Sequence, residues 1–251
     1  HFQNHSGSPI VFMRVNESLI ERNTFFEVFG PDNVWVSGIN NKIINNTFDY
    51  CGSKVTIPAG YGITGCIEVT KGGYSNNNVN LFGSNWIEDN TITNFSGSAI
   101  VVAMSSIIIE GNTIINGTPF GFQDAAAVDT YTFTGLAPSD VFIRDNYIEK
   151  VDIGVYLDGS VQASGGSNII VERNIFSMSD KGIYLITNGG GSYQGTQIFN
   201  NTIIDNLFGI EIEYGAGIII ENNSLSGLNG IEVKFSTNLA IGFNQIESHY
   251  F

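Results

Sequence analysis

The sequence predicts an all-β fold, a single-stranded parallel β-solenoid of about ten coils, and three observations carry that expectation. The first is a repeat. A short apolar run ends in an asparagine, followed two residues on by another apolar residue, at Asn23, Asn46, Asn90, Asn112, Asn146, Asn174, Asn201, Asn223 and Asn244. The successive intervals are 23, 44, 22, 34, 28, 27, 22 and 21 residues, so most lie near 22 and one is twice that. The second observation is alternation. In GIIIENNSLSGLNGIEVK, from Gly217 to Lys234, apolar residues fall at Ile218, Ile220, Leu225, Ile231 and Val233, the period of strands with one buried face. The third is composition: Gly, Asn and β-branched residues dominate and no stretch sustains a 3.6-residue period, which disfavours helix.

Each coil then offers two or three short strands, and stacking pairs every strand with its counterpart about 4.8 Å away. The repeat asparagine falls where the chain must turn. Asparagine tolerates left-handed backbone angles and can bond nearby backbone, so a column of turn asparagines is the expected device. A glycine announces the second strand, as at Gly154, Gly182, Gly209 and Gly230.

These residues resemble the right-handed parallel β-helix repeat of the pectin-lyase-like superfamily, from about Asn16 to Ile246. Handedness is an implication of that resemblance. The architecture hosts lyases, hydrolases, epimerases, tailspikes and adhesins, so the resemblance implies a fold and leaves the activity open. The I-x-x-N-N-T-I style also resembles, loosely, secreted polysaccharide-degrading β-helix domains of the disaggregatase type.

With 251 residues, 42% hydrophobic and 14% charged, the chain is expected to form a single elongated domain over residues 1–251. Ten basic against 24 acidic residues make nucleic acid and anionic membrane surfaces poor partners. No apolar run approaches the roughly 20 residues needed to cross a bilayer. The chain starts at His1 and its end coils lack caps, so a fragment of a longer protein, or ends covered by neighbouring chains, is expected. Cys51 and Cys66 flank a looped segment and are either a disulfide of an extracellular protein or two buried thiols.

In a solenoid the inward residues are core, so chemistry belongs to outward side chains and loops. One outward ladder precedes the repeat asparagine: Glu21, Ile44, Glu88, Glu110, Arg144, Glu172, Phe199 and Glu221. It reads as a solvated face, with Arg144 relieving the repulsion between Glu110 and Glu172. A second ladder runs along the glycine-led strands. Its outward pairs are Trp35 and Ser37, Glu68 and Thr70, Val101 and Ala103, then Asp129, then Tyr156 and Asp158, Tyr184 and Ile186, Glu211 and Glu213, and Glu232 and Lys234. Sugars have apolar faces and hydroxyl edges, and aromatic rings beside carboxylates meet both. Tyr156 and Tyr184 equally suit an ordinary stacked ladder.

The longest lapses of the repeat, between Asn46 and Asn90 and between Asn112 and Asn146, adjoin this second ladder, and such insertions can wall a groove. A glycosidase needs two carboxyl groups roughly 5 to 9 Å apart, and residues one or two coils apart meet that distance. The expected catalytic pair is Asp129 and Asp158, with Asp124, Glu211 and Glu213 in reserve; Trp35, Glu68, Tyr156 and Tyr184 are the expected substrate-binding residues. The segment FQDAAAVD is a little similar to the paired-aspartate strand of polygalacturonases, but Ala125 stands where the second aspartate would be. The other signatures of those enzymes and of pectate lyases are missing. His1, His5 and His249 lie at the ends, which rules out histidine-centred catalysis in the middle.

The expectation is an extracellular, secreted or cell-surface glycoside hydrolase with a polysaccharide substrate, acting as monomer or homotrimer. A polysaccharide lyase is the mechanistic rival, drawing on Lys71, Lys181, Lys234, Tyr156, Tyr184, Arg144 and Arg173, which look scattered along the stack. A non-catalytic glycan-binding or tailspike-like module is the alternative of another class. No metal ligand set or certain cofactor is predicted; the acidic loops leave room for calcium, though no aspartate-rich calcium-loop spacing occurs.

Overall fold

The computed structural model describes residues 1–4, 7–30, 32–52, 65–70, 83–119, 124–131, 138–159, 166–187 and 193–248. Every element among these is a strand, and every strand pairing is parallel. Each coil contributes to three stacks. The strand before the repeat asparagine joins a nine-stranded sheet that runs from Leu19–Glu21 to Ala240–Gly242. The strand after it and the glycine-led strand form the second and third stacks. These merge into one 17-stranded sheet because Thr202–Glu213 and Ser224–Lys234 each run through the bend between them.

Both outward ladders keep the register that the repeat implies. In the first stack Glu21, Ile44, Glu88, Glu110, Arg144, Glu172, Phe199 and Glu221 are successive partners. Arg144 binds only one of its acidic neighbours, through Nε at 3.0 Å and Nη2 at 2.8 Å to Glu110 Oε2. Glu172 is taken instead by Arg173, at 2.6 Å.

The repeat asparagine lines the turn column and bonds nearby backbone as expected, Asn146 Nδ2 donating to Arg144 O at 2.9 Å, but it does not take the left-handed angle. The left-handed residue is the one before it: Asp145 has φ 56°, Arg173 54° and Asn200 56°. This frees the asparagine side chain to turn inward. Asn146, 1% exposed, donates from Nδ2 to Ile109 O at 3.0 Å and to Asn174 Oδ1 at 2.9 Å. Its own Oδ1 accepts from both the backbone N–H and Nδ2 of Asn112, at 2.9 and 3.0 Å. The same links join Asn46, Asn90, Asn112, Asn146, Asn174, Asn201, Asn223 and Asn244 into one amide ladder, buried except at half-buried Asn244, in which each side chain satisfies the turn of the coil before.

The column of glycines has a steric cause. A Cβ at Gly154 would lie 2.4 Å from Gly182 O, and one at Gly209 would lie 2.5 Å from Gly230 O, so the bend between second and third stacks admits no side chain there.

The doubled interval is a single coil. Thr47–Cys51 pairs directly with Thr91–Ser96, and Lys42–Ile44 with Asn85–Glu88, so the doubled interval, which includes the spans 53–64 and 71–82, advances the stack by one coil. Those spans, Lys71, residues 120–123 and residues 132–137 lie outside the described residues. A disulfide joins Cys51 to Cys66.

Candidate functional site

The third stack carries the chemistry. Its strands include Val34–Val36, Gly65–Thr70, Ser98–Ala103, Ala126–Tyr131, Ile153–Gly159 and Lys181–Thr187. Their inward residues, among them Val128, Val155, Leu157 and Leu185, are fully buried core. The outward residues form two columns. Trp35, Glu68, Val101, Asp129, Tyr156, Tyr184, Glu211 and Glu232 are successive partners in one. Thr70 and Ala103 begin the other, which continues from Tyr131 through Asp158, Ile186, Glu213 and Lys234. Tyr131 was absent from the predicted pairs.

Outward does not mean exposed. In the middle coils the outward positions are covered as well: Val101 is 1% exposed, Asp129 2% and Asp158 7%, while Tyr156 and Tyr184 are half-buried. Asp129 lies one coil and two residues from Asp158, a diagonal of roughly 8 Å between α-carbons given strand and residue spacings. Ser98 Oγ donates to Asp129 Oδ2 at 3.1 Å, whereas buried Oδ1 has no hydrogen-bond partner among the described residues. Burial, with the charges of Asp158 and Asp124 adding to it and outweighing the Ser98 hydrogen bond, pushes the Asp129 carboxyl up to about 7. Asp124 itself is exposed and acts on Asp129 by charge.

Tyr156 and Tyr184 stack face to face, centroids 5.3 Å apart and planes within 3°. Burial, followed by the neighbouring carboxylates, raises both phenols, Tyr184 to about 12. Neither is a phenolate at neutral pH. The Lys181 ammonium lies 3.5 Å from the Tyr184 ring centroid, a cation–π contact.

Lys181 and Lys234 are not scattered; they converge on Glu211. Lys181 Nζ is 2.8 Å from Glu211 Oε2 and Lys234 Nζ 2.7 Å from Oε1, with Lys234 also 3.3 Å from Glu213 and 3.2 Å from Glu232. Burial alone would raise the Glu211 carboxyl, but the two lysines outweigh it and the net shift is downward. Glu211 is held as a carboxylate, a poor proton donor, and Glu213 shares its cation. Arg144 and Arg173 belong to the other face, each bound to carboxylates.

Toward the other end, Glu68 meets a residue that the ladder reading missed. Asp32, 8% exposed, precedes the third stack, shares a hydrogen bond with Glu68 and accepts one from Gly65 N at 3.2 Å. Burial pushes both carboxyls upward; the charge and hydrogen bond of Asp32 add to it at Glu68, whereas at Asp32 burial outweighs the hydrogen bonds from Glu68 and Gly65, so the pair holds a proton. Beside it Trp35 Nε1 donates to Thr70 Oγ1 at 2.9 Å. Among the described residues no three His, Cys, Asp or Glu side chains converge to hold a metal ion.

A family model described as a right-handed β-helix region matches residues 77–246. The chain belongs to that family. No curated protein matches it. Among solved structures, this right-handed β-helix is similar to PfbA, a surface adhesin of Streptococcus pneumoniae, at 17% identity and TM-score 0.55, over 88% of this chain and 60% of that one. The β-helix therefore spans about 60% of the length of that adhesin chain. Fainter similarities reach the A-module of mannuronan C-5 epimerase AlgE6 from Azotobacter vinelandii (13% identity, TM-score 0.35, covering 93% and 77%) and the periplasmic alginate epimerase AlgG (12%, 0.38, 92% and 69%). At these identities the likeness is one of fold alone. No helix of the described β-helix is long and apolar enough to cross a membrane.

Proposed function

We propose that this β-helix is an extracellular glycoside hydrolase that binds a polysaccharide along the third-stack face, with Asp129 as proton donor and Asp158 as base. The observation that carries the reading is Asp129: a buried carboxyl on the ladder of Tyr156 and Tyr184, held near the neutral range and flanked by a second aspartate. A carboxyl that retains its proton near pH 7 can protonate a glycosidic oxygen, and a second aspartate one coil away can serve as the base. The stacked tyrosines offer an apolar platform for a sugar ring.

Elimination fits less well. A lyase needs a base beside the sugar carboxylate and a cation to neutralise it. Here both phenols are raised, and Lys181 and Lys234 are engaged by glutamates. The disulfide supports secretion or cell-surface exposure. We read residues 1–251 as one domain acting as monomer or homotrimer, which the mass in solution decides.

A second reading rests on the burial of both aspartates. At 2% and 7% exposure they suit a face that holds glycan without cleaving it. A glycan array followed by product analysis separates the two: a hydrolase releases reducing ends, a binding module retains sugar without fragments, and an unsaturated uronate product would mark a lyase. Asp129→Asn and Asp158→Asn are expected to abolish release while circular dichroism stays native. Full activity in both variants overturns the assignment.

A further inference from the structure

A cavity of about 270 Å³ opens on the second stack, away from the Asp129 column. Phe29 and Tyr50 supply aromatic wall, Cys51 lies beside them, and Asn94, Ser96, Asn116 and Thr118 supply polar groups from two successive coils. The volume is at the small end of ligand sites, suited to a single sugar residue. No charged side chain is among these lining residues.

The polar groups are oriented by the hydrogen bonds beneath them. Asp49 Oδ1 can only accept, and it takes Asn94 Nδ2 and Thr93 Oγ1, each at 2.8 Å. Asn94 Oδ1 therefore faces the next coil, where it accepts from Asn116 Nδ2 at 3.3 Å. Thr118 gives its hydroxyl hydrogen to Phe95 O at 3.1 Å, so in the 3.3 Å contact with Ser96 it is the acceptor. Asn116 Oδ1 and the Ser96 lone pairs remain as acceptors, and each amide keeps a second N–H as donor. Tyr50 and Asn94 hold their places through left-handed backbone, φ 55° and 52°, which tips both side chains out of the regular strand alternation.

We propose that this cavity is a binding subsite for one uncharged sugar residue of a glycan. The rings cover the sugar's apolar face, and alternating donors and acceptors meet hydroxyls, which serve as both. Among the described lining residues a uronate would find no cation. The proposal stands on this cavity and is independent of whether Asp129 hydrolyses anything.

The test is titration of the intact chain, and of Tyr50→Ala, Asn116→Ala and Tyr184→Ala variants, with neutral gluco-, galacto- and manno-oligosaccharides and with oligouronates. Calorimetry gives the affinities, and circular dichroism checks the fold. At least one neutral series should bind. Tyr50→Ala should weaken it about tenfold and Asn116→Ala several-fold, with Tyr184→Ala leaving this event unchanged. Binding of oligouronates alone, no binding of any neutral series, or neutral binding lost in Tyr184→Ala but kept in the folded Tyr50→Ala and Asn116→Ala variants overturns the proposal. Asn116 is exposed, so its variant keeps the question decidable should Tyr50→Ala fail to fold.

Discussion

The carboxyl of Asp32 is hydrogen-bonded to the carboxyl of Glu68, two acids holding a proton at the edge of the third stack. Burial lifts both above their unfolded values of 3.8 and 4.5, so the folded state binds more protons than the unfolded chain. By linkage their contribution is complete below the unfolded values and is lost as pH rises through the raised folded ones. The melting temperature is expected to decline on the alkaline side. Glu68→Gln, which keeps a donor for Asp32, should flatten that decline in thermal unfolding followed from pH 4 to pH 10, on the order of the carboxylate-to-alkaline range. An unchanged slope would show that other groups govern it.

If Asp129 is the proton donor, hydrolysis requires it protonated. Activity should then fall about tenfold per pH unit above about 7, the position of its raised carboxyl. Replacing Ser98 by Ala removes a hydrogen bond that favours the ionised form, so the descending limb should move to higher pH. A limb that stays in place would separate Asp129 from the proton transfer.

Asn146→Ala deletes an acceptor for two donors of Asn112 and a donor to Ile109 and Asn174, all buried. Stranded groups of this kind cost about 1–3 kcal/mol each, so a loss of about 3 kcal/mol or more is expected from the urea midpoint. Asn23→Ala, at a half-buried position whose side chain donates onward to Asn46, should cost clearly less.

Opening the Cys51–Cys66 link frees a closure with a sequence separation of 15. A loop of that length is worth about 3 kcal/mol. Cys51→Ser with Cys66→Ser should lower the melting temperature, and added reductant should lower that of the native chain but not of the variant.

Much of the architecture was legible in the residues. The asparagine spacing aligned the first outward ladder in the register observed, and the glycines aligned the second from Trp35 to Glu232, although its companion column ran to Ser37 instead of including Tyr131. The same pattern misassigned the left-handed angle, which belongs to the preceding residue, because the asparagine's own side chain is used inward. The interval after Asn46, twice the usual length, advances the stack by a single coil.

The candidate site was legible only as a list of outward side chains. Period-two alternation determines which residues face away from the core, and that is local geometry readable from sequence alone. Whether an outward residue meets water, a cation or another acid depends on what folding brings beside it. Packing thus left Asp129 buried with one oxygen unpartnered among the described residues, tied Glu211 to Lys181 and Lys234, and set Asp32 against Glu68 from 36 positions away in the chain, a pairing that no repeat spacing encodes.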